Sequence, residues 1–185
     1  SFKGSLELTG TGFTEITDGF SNGSFAGSLK INDNQDLSSI NENAFSDNSF
    51  TSLELSGNTD LTKIQKGTFA LNNFVNGVVL SNCSNLQVID GTGPNEEGAF
   101  SNSNITSLTF NELPKLISIG TGANTTGAFV NNSISSIDFT KLESLQTIGK
   151  YAFYKAIINQ ELNFSGLLSL KDIDDFAFKD NSLNS

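Results

Sequence analysis

Two glycine-rich stretches carry the first hint of chemistry. GTGPNEEGAF at residues 91–100 returns as GTGANTTGAF at 120–129. Glycines set this closely can turn backbone amides toward a phosphate. The dinucleotide fingerprint is G-x-G-x-x-G, whereas both stretches run G-x-G-x-x-x-x-G with no Lys-Ser or Lys-Thr behind them. A phosphate site also needs a substantial helix after the loop, so that its N-terminus faces the anion. Here each loop runs into Ala-Phe.

Other reactive groups are few. Cys83 is the single cysteine, and one thiol makes neither an internal disulfide nor a cysteine zinc site. With no His in the chain, histidine triads, histidine metal ligands and a base to activate that thiol are all missing. NDNQD at 32–36 spaces oxygen ligands as a calcium loop does, but Leu37 stands where the loop needs Gly and Asn43 where it needs a bidentate Glu. Asp172 and Asp174 would share one side of an extended segment, the minimum for paired-carboxylate catalysis, although a solvated turn explains them as well. No cofactor and no metal are expected, and no catalytic residue is assigned.

Charge narrows the partners. A net charge of −10 opposes binding to nucleic acid or to an anionic membrane surface. No apolar run approaches the ~18 residues that span a bilayer. Asn-x-Ser/Thr acceptors occur at Asn22, Asn82, Asn104, Asn124, Asn131 and Asn163, in a chain rich enough in Asn, Ser and Thr to produce them by chance.

The elements that must carry these residues are written in a repeat. Phe20, Phe45, Phe69, Phe100, Phe129, Phe153 and Phe178 follow one another at 25, 24, 31, 29, 24 and 25 residues. Behind Phe45 stand Phe50, Leu53, Leu55, Leu61 and Ile64; behind Phe129, at the same offsets, stand Ile134, Ile137, Phe139, Leu145 and Ile148. The alternation Leu53-x-Leu55 is a short strand with one buried face. One unit is too small to bury such a set, so neighbours must stack. The expected fold is a mainly β solenoid with a parallel sheet of about seven short strands, from Leu6–Leu8 to Leu162–Phe164. Cys83 then occupies the slot of Asn34 and Asn58, which later units fill with Leu113, Leu142 and Leu167, so it is expected to be structural.

AFSDNSFTSLELSGNTDLTKI and IGKYAF at 148–153 resemble the BspA-like class of leucine-rich repeats, and the resemblance covers essentially the whole chain. It implies a right-handed coil with short turns, 3-10 or helical segments opposite the sheet. It also implies a secreted or cell-surface protein, often bacterial, with a role in adhesion. The Pro common after the family's strand is missing, and the units are slightly long. Residues 1–185 form a single repeat domain of six full units of 24–31 residues with partial units at both ends, which reads as a fragment of a longer protein.

The sheet's outer face is where such a coil usually meets a partner. Alternation exposes Glu7, Lys30, Glu54, Val79, Thr109, Asp138 and Asn163, flanked by Ser28, Ser52, Ser107 and Ser136. The two glycine loops are insertions of six and five residues in consecutive units, so they must lie side by side. Asn95, Glu96, Glu97, Asn124, Thr125 and Thr126 would form either a recognition ridge or an insertion copied with its unit. Tyr151 and Tyr154 either anchor a partner or pack on the neighbouring turn. The expected activity is non-enzymatic recognition of a protein or glycan by a monomer, with a structural spacer as the alternative.

Overall fold

The computed structural model describes residues 4–91, 97–121 and 127–183. Within them the chain alternates longer and very short strands. In order these are β1 (Leu6–Thr9), β2 (Glu15–Ile16), β3 (Ala26–Asn32), β4 (Ser39–Ile40), β5 (Ser49–Ser56), β6 (Lys63–Ile64) and β7 (Val78–Ser81). The series continues with β8 (Val88–Asp90), β9 (Ser107–Asn111), β10 (Ser118–Thr121), β11 (Ser136–Asp138), β12 (Thr147–Ile148) and β13 (Asp172–Ile173).

Each Leu-x-Leu segment becomes a strand of the main sheet, ordered β1-β3-β5-β7-β9-β11 and parallel throughout. Pairing is set by the buried positions: Leu29 lies opposite Leu53, and Leu53 opposite Val78. A slip of one residue would turn every one of these side chains outward. The Ile at the end of each unit builds a second parallel ladder, β6-β8-β10-β12-β13, while β2 pairs with β4. Ile64, Ile89, Ile119 and Ile148 point from it into the core.

The anchoring phenylalanines close the third wall. Phe20, Phe45, Phe69, Phe100, Phe129, Phe153 and Phe178 form one unbroken stack, with centroid spacings of 5.0–5.6 Å and interplanar angles of 1–21°. That spacing follows from the strand separation of about 4.8 Å, because one ring is contributed per coil. Turns beside the stack use left-handed residues two positions after Phe: Asn22, Asp47, Leu71, Asn102, Asn131, Lys155 and Asp180 all have φ between 51° and 58°, and five of these are Asn or Asp. Asn and Asp tolerate that region better than most side chains.

One expectation is narrowed to one of its alternatives and another is revised. The side opposite the main sheet holds turns and the second ladder, with no helix among the described residues. An Ile flanked by polar residues needs only two paired residues per coil to be buried, and a parallel ladder keeps the same rise as the main sheet. The main sheet also ends at six strands. Leu162–Phe164 stays near the core but is unpaired, because Gln160 Nε2 donates to the Ile137 carbonyl (2.6 Å) on the outer edge of β11.

Candidate functional site

Strand register places the expected surface residues in one line. Glu7 lies opposite Lys30, Lys30 opposite Glu54, Glu54 opposite Val79, Val79 opposite Thr109, and Thr109 opposite Asp138. Lys30 Nζ stands 4.0 Å from Glu54 Oε2, and Thr9 Oγ1 donates to Glu7 Oε1 at 3.2 Å. Ser28 pairs with Ser52 and Ser107 with Ser136 in the flanking columns. A depression of about 290 Å³ opens over Lys30, Glu54 and Val79, with Asn76 and Gly77 on its rim. This surface can offer hydrogen bonds, two opposite charges and one exposed apolar side chain.

Asn163 does not join that line. It lies beyond the last main-sheet strand, and its Oδ1 accepts from the Ser165 amide at 2.9 Å. Asp138 makes the same local turn, accepting from the Thr140 amide at 2.8 Å. That backbone hydrogen bond, joined by the Thr140 side chain, holds the Asp138 carboxyl below its usual range. Each side chain therefore bonds into the turn that follows it, and Asp138 is the last residue of β11.

Of the loop residues, Asn95, Glu96, Asn124, Thr125 and Thr126 lie outside the described residues. Glu97 is described, and its carboxylate accepts from Ser101 Oγ and from Asn102 Nδ2 (2.8 Å), so it ties the loop to the turn below. The glycines have packing reasons. A Cβ on Gly98 would strike the Gly127 carbonyl, and one on Gly127 would strike the Tyr151 carbonyl. Gly120, at φ 78°, sits at the register shift between the Ile119–Ile89 and Thr121–Asp90 pairs of β10 and β8. These glycines let coils approach and turn, with no helix behind them to receive a phosphate.

Cys83 fills its structural slot. It is fully buried, its Sγ lies 3.4 Å from the Ser81 carbonyl, and burial pushes its thiol pKa up. Asn34 and Asn58 precede it in the same column: Asn34 Nδ2 donates to the Leu8 carbonyl and Asn58 Nδ2 to the Ile31 carbonyl, each at 2.7 Å. NDNQD is therefore a turn whose central Asn points inward. Asp172 and Asp174 are exposed, and no group of three or more His, Cys, Asp or Glu that could hold a metal exists among the described residues.

Two features escaped the sequence reading. The first is a polar ladder three residues after the stacked Phe, buried at Asn48, Asn72, Ser103 and Asn132 and half-buried at Asn181. Asn132 Nδ2 donates to the carbonyls of Phe100 (3.0 Å), Phe129 (2.9 Å) and Val130 (3.2 Å), while its Oδ1 accepts from the amides of Ser103 and Ile105. Asn48, Asn72 and Asn181 likewise donate to the Phe carbonyl of the preceding coil and to that of their own. The repeated Phe-x-x-Asn spacing was the available signal. The second is an aromatic cluster: Tyr151 stacks on Phe176 (5.2 Å) and meets Tyr154 edge-on (5.4 Å), with Lys150, Lys155 and Lys179 each over a ring. The tyrosines thus pack on the neighbouring turn, as expected for one of their two readings.

No curated protein and no solved structure matches the chain. A family profile does: the BspA type leucine rich repeat region matches residues 1–123 and 123–185, in six copies. Its repeat count agrees with the six strands of the main sheet. The chain belongs to the BspA-type leucine-rich repeat family.

Proposed function

We propose that the chain is a non-catalytic recognition module of a secreted or cell-surface protein, acting in adhesion by holding a protein or glycan against the face of its main sheet. The supporting observation is the in-register column Glu7, Lys30, Glu54, Val79, Thr109 and Asp138, half-buried at Lys30 and Glu54 and exposed elsewhere, on a sheet whose other face is buried. Trp and Arg are absent and the column carries no Tyr, so the face lacks the usual hot-spot side chains and suits a wet, polar contact of modest affinity.

The test immobilises the chain and presents a panel of extracellular-matrix proteins and soluble glycans. The variant Lys30→Glu/Glu54→Lys/Thr109→Trp keeps the net charge while reversing the charged pair and blocking the column. Retention that this variant loses supports the reading, and retention that it keeps refutes it. The unbroken Phe stack favours a second reading, a stiff spacer of roughly 30 Å. A chain that retains no panel member fits the spacer instead.

A further inference from the structure

The turns beside the Phe stack change character along the coil. At the coils of Phe100 and Phe129 they present amides; residues 98–105 and 127–137 carry no charged side chain, although the Glu97 carboxylate accepts from Asn102 Nδ2 at one end. Asn131 Nδ2 donates to Asn102 Oδ1 at 2.9 Å, which makes a short amide ladder on the surface. The next residue in that column is Lys155: the backbone steps from Asn102 to Val130, from Asn131 to Tyr154 and from Lys155 to Lys179 through hydrogen bonds of 2.9–3.0 Å. From residue 144 to 160 the chain has two lysines and no carboxylate, in a protein of net charge −10.

Beside Lys155 the backbone is strained where aromatic rings are displayed. Tyr151 and Phe176 adopt φ 57° and 61°, in a slot where Asn43 (58°) and Gly67 (64°) stand in earlier coils. A bulky ring in that region is disfavoured, and such strain concentrates at functional positions. Core packing does not compensate for it, since Phe176 is 47% exposed. Lys150, Lys155 and Lys179 lie 5.6, 5.1 and 5.0 Å from ring centroids, and none is in an ion pair among the described residues. Asp180 follows Lys155 in the same column, and Asp174 and Asp175 precede Phe176 on the last coil.

We propose that this ridge, running from Asn131 to Lys155 and bordered by Tyr151, Phe176, Lys150 and Lys179, binds an acidic polysaccharide. Amides serve sugar hydroxyls, and ammonium groups already held over rings serve the carboxylates. An acidic peptide would use the ammonium groups but has no row of hydroxyls for the amide ladder. The ridge lies on the turns and not on the sheet face, so it stands or falls independently of the column described above.

The test measures retention of the intact chain on immobilised polygalacturonate, with uncharged dextran and poly-glutamate as comparators. Polygalacturonate is expected to retain the chain best. Lys150→Gln/Lys155→Gln/Lys179→Gln is expected to weaken this on the order of tenfold, through loss of three exposed charge contacts. Phe176→Asn is expected to weaken binding without lowering the melting temperature, because Asn suits φ 61°. The sheet-face variant Lys30→Glu/Glu54→Lys/Thr109→Trp is expected to bind polygalacturonate as before. Equal retention on dextran, equal retention on poly-glutamate, no retention at all, or an unaffected lysine variant would each overturn the proposal.

Discussion

Asn132 shows how much one polar side chain supports in this coil. Its amide closes three carbonyls and two backbone amides that lie away from water, in its own coil and in the preceding one. Removing it leaves those groups without partners, which costs more than one average hydrogen bond. Asn132→Ala is therefore expected to destabilise the chain by about 2–3 kcal/mol. Asn132→Ser should cost about 1 kcal/mol, since the Ser103 hydroxyl serves the same column, accepting from the Asn72 amide with two carbonyls in reach of its one hydrogen. Urea denaturation of both variants checks the order, and equal losses would contradict it. The column was hard to see in the sequence because Asn is also the ordinary turn residue of this chain. Cys83 was easier, since its offset from the strand matches Asn34 and Asn58.

At the scale of elements, the recurring unit is a strand, a two-residue Ile strand and a Phe turn, each supplying one wall of the core. Phe129 lies between Phe100 and Phe153 at 5.0 and 5.1 Å and meets Phe110 edge-on. Phe129→Ala should cost about 3–5 kcal/mol, since neighbours in a parallel stack cannot close the gap without breaking register. A denaturation midpoint equal to that of the parent would show that the stack contributes little. The Ile ladder was visible in the sequence as buried positions but not as strands. A buried Ile looks the same in a turn as in a ladder, and only stacking supplies the neighbour to pair with.

For the whole molecule, the two glycine loops test how tolerant the coil is. Deleting residues 92–97 and 122–126 restores the five-residue Ile-to-Phe spacing while keeping Gly98 and Gly127, which the neighbouring backbones require. The shortened chain is expected to unfold in a single transition within about 1 kcal/mol of the parent, because surface loop length contributes little. A larger loss, or two transitions, would mean that the loops hold the coils together. The glycan and matrix panel applied to the same deletion asks whether Glu96, Glu97, Thr125 and Thr126 contribute to recognition of a partner.

By itself the sequence determined the repeat, the buried positions, the Phe column, the slot of Cys83 and the line of exposed residues from Glu7 to Asp138. All of these depend on periodicity, and a stacked coil converts equal offsets into shared columns. Tertiary structure alone decided three things. Asn163 leaves the line because Gln160 takes an edge carbonyl of β11. Gly98 and Gly127 are needed by backbones that approach from the next coil. Tyr151 and Phe176, which lie 25 residues apart, meet as a strained, lysine-flanked pair. Each of these depends on contact between coils at atomic distance, whereas the pattern of a single unit specifies only which way its side chains face.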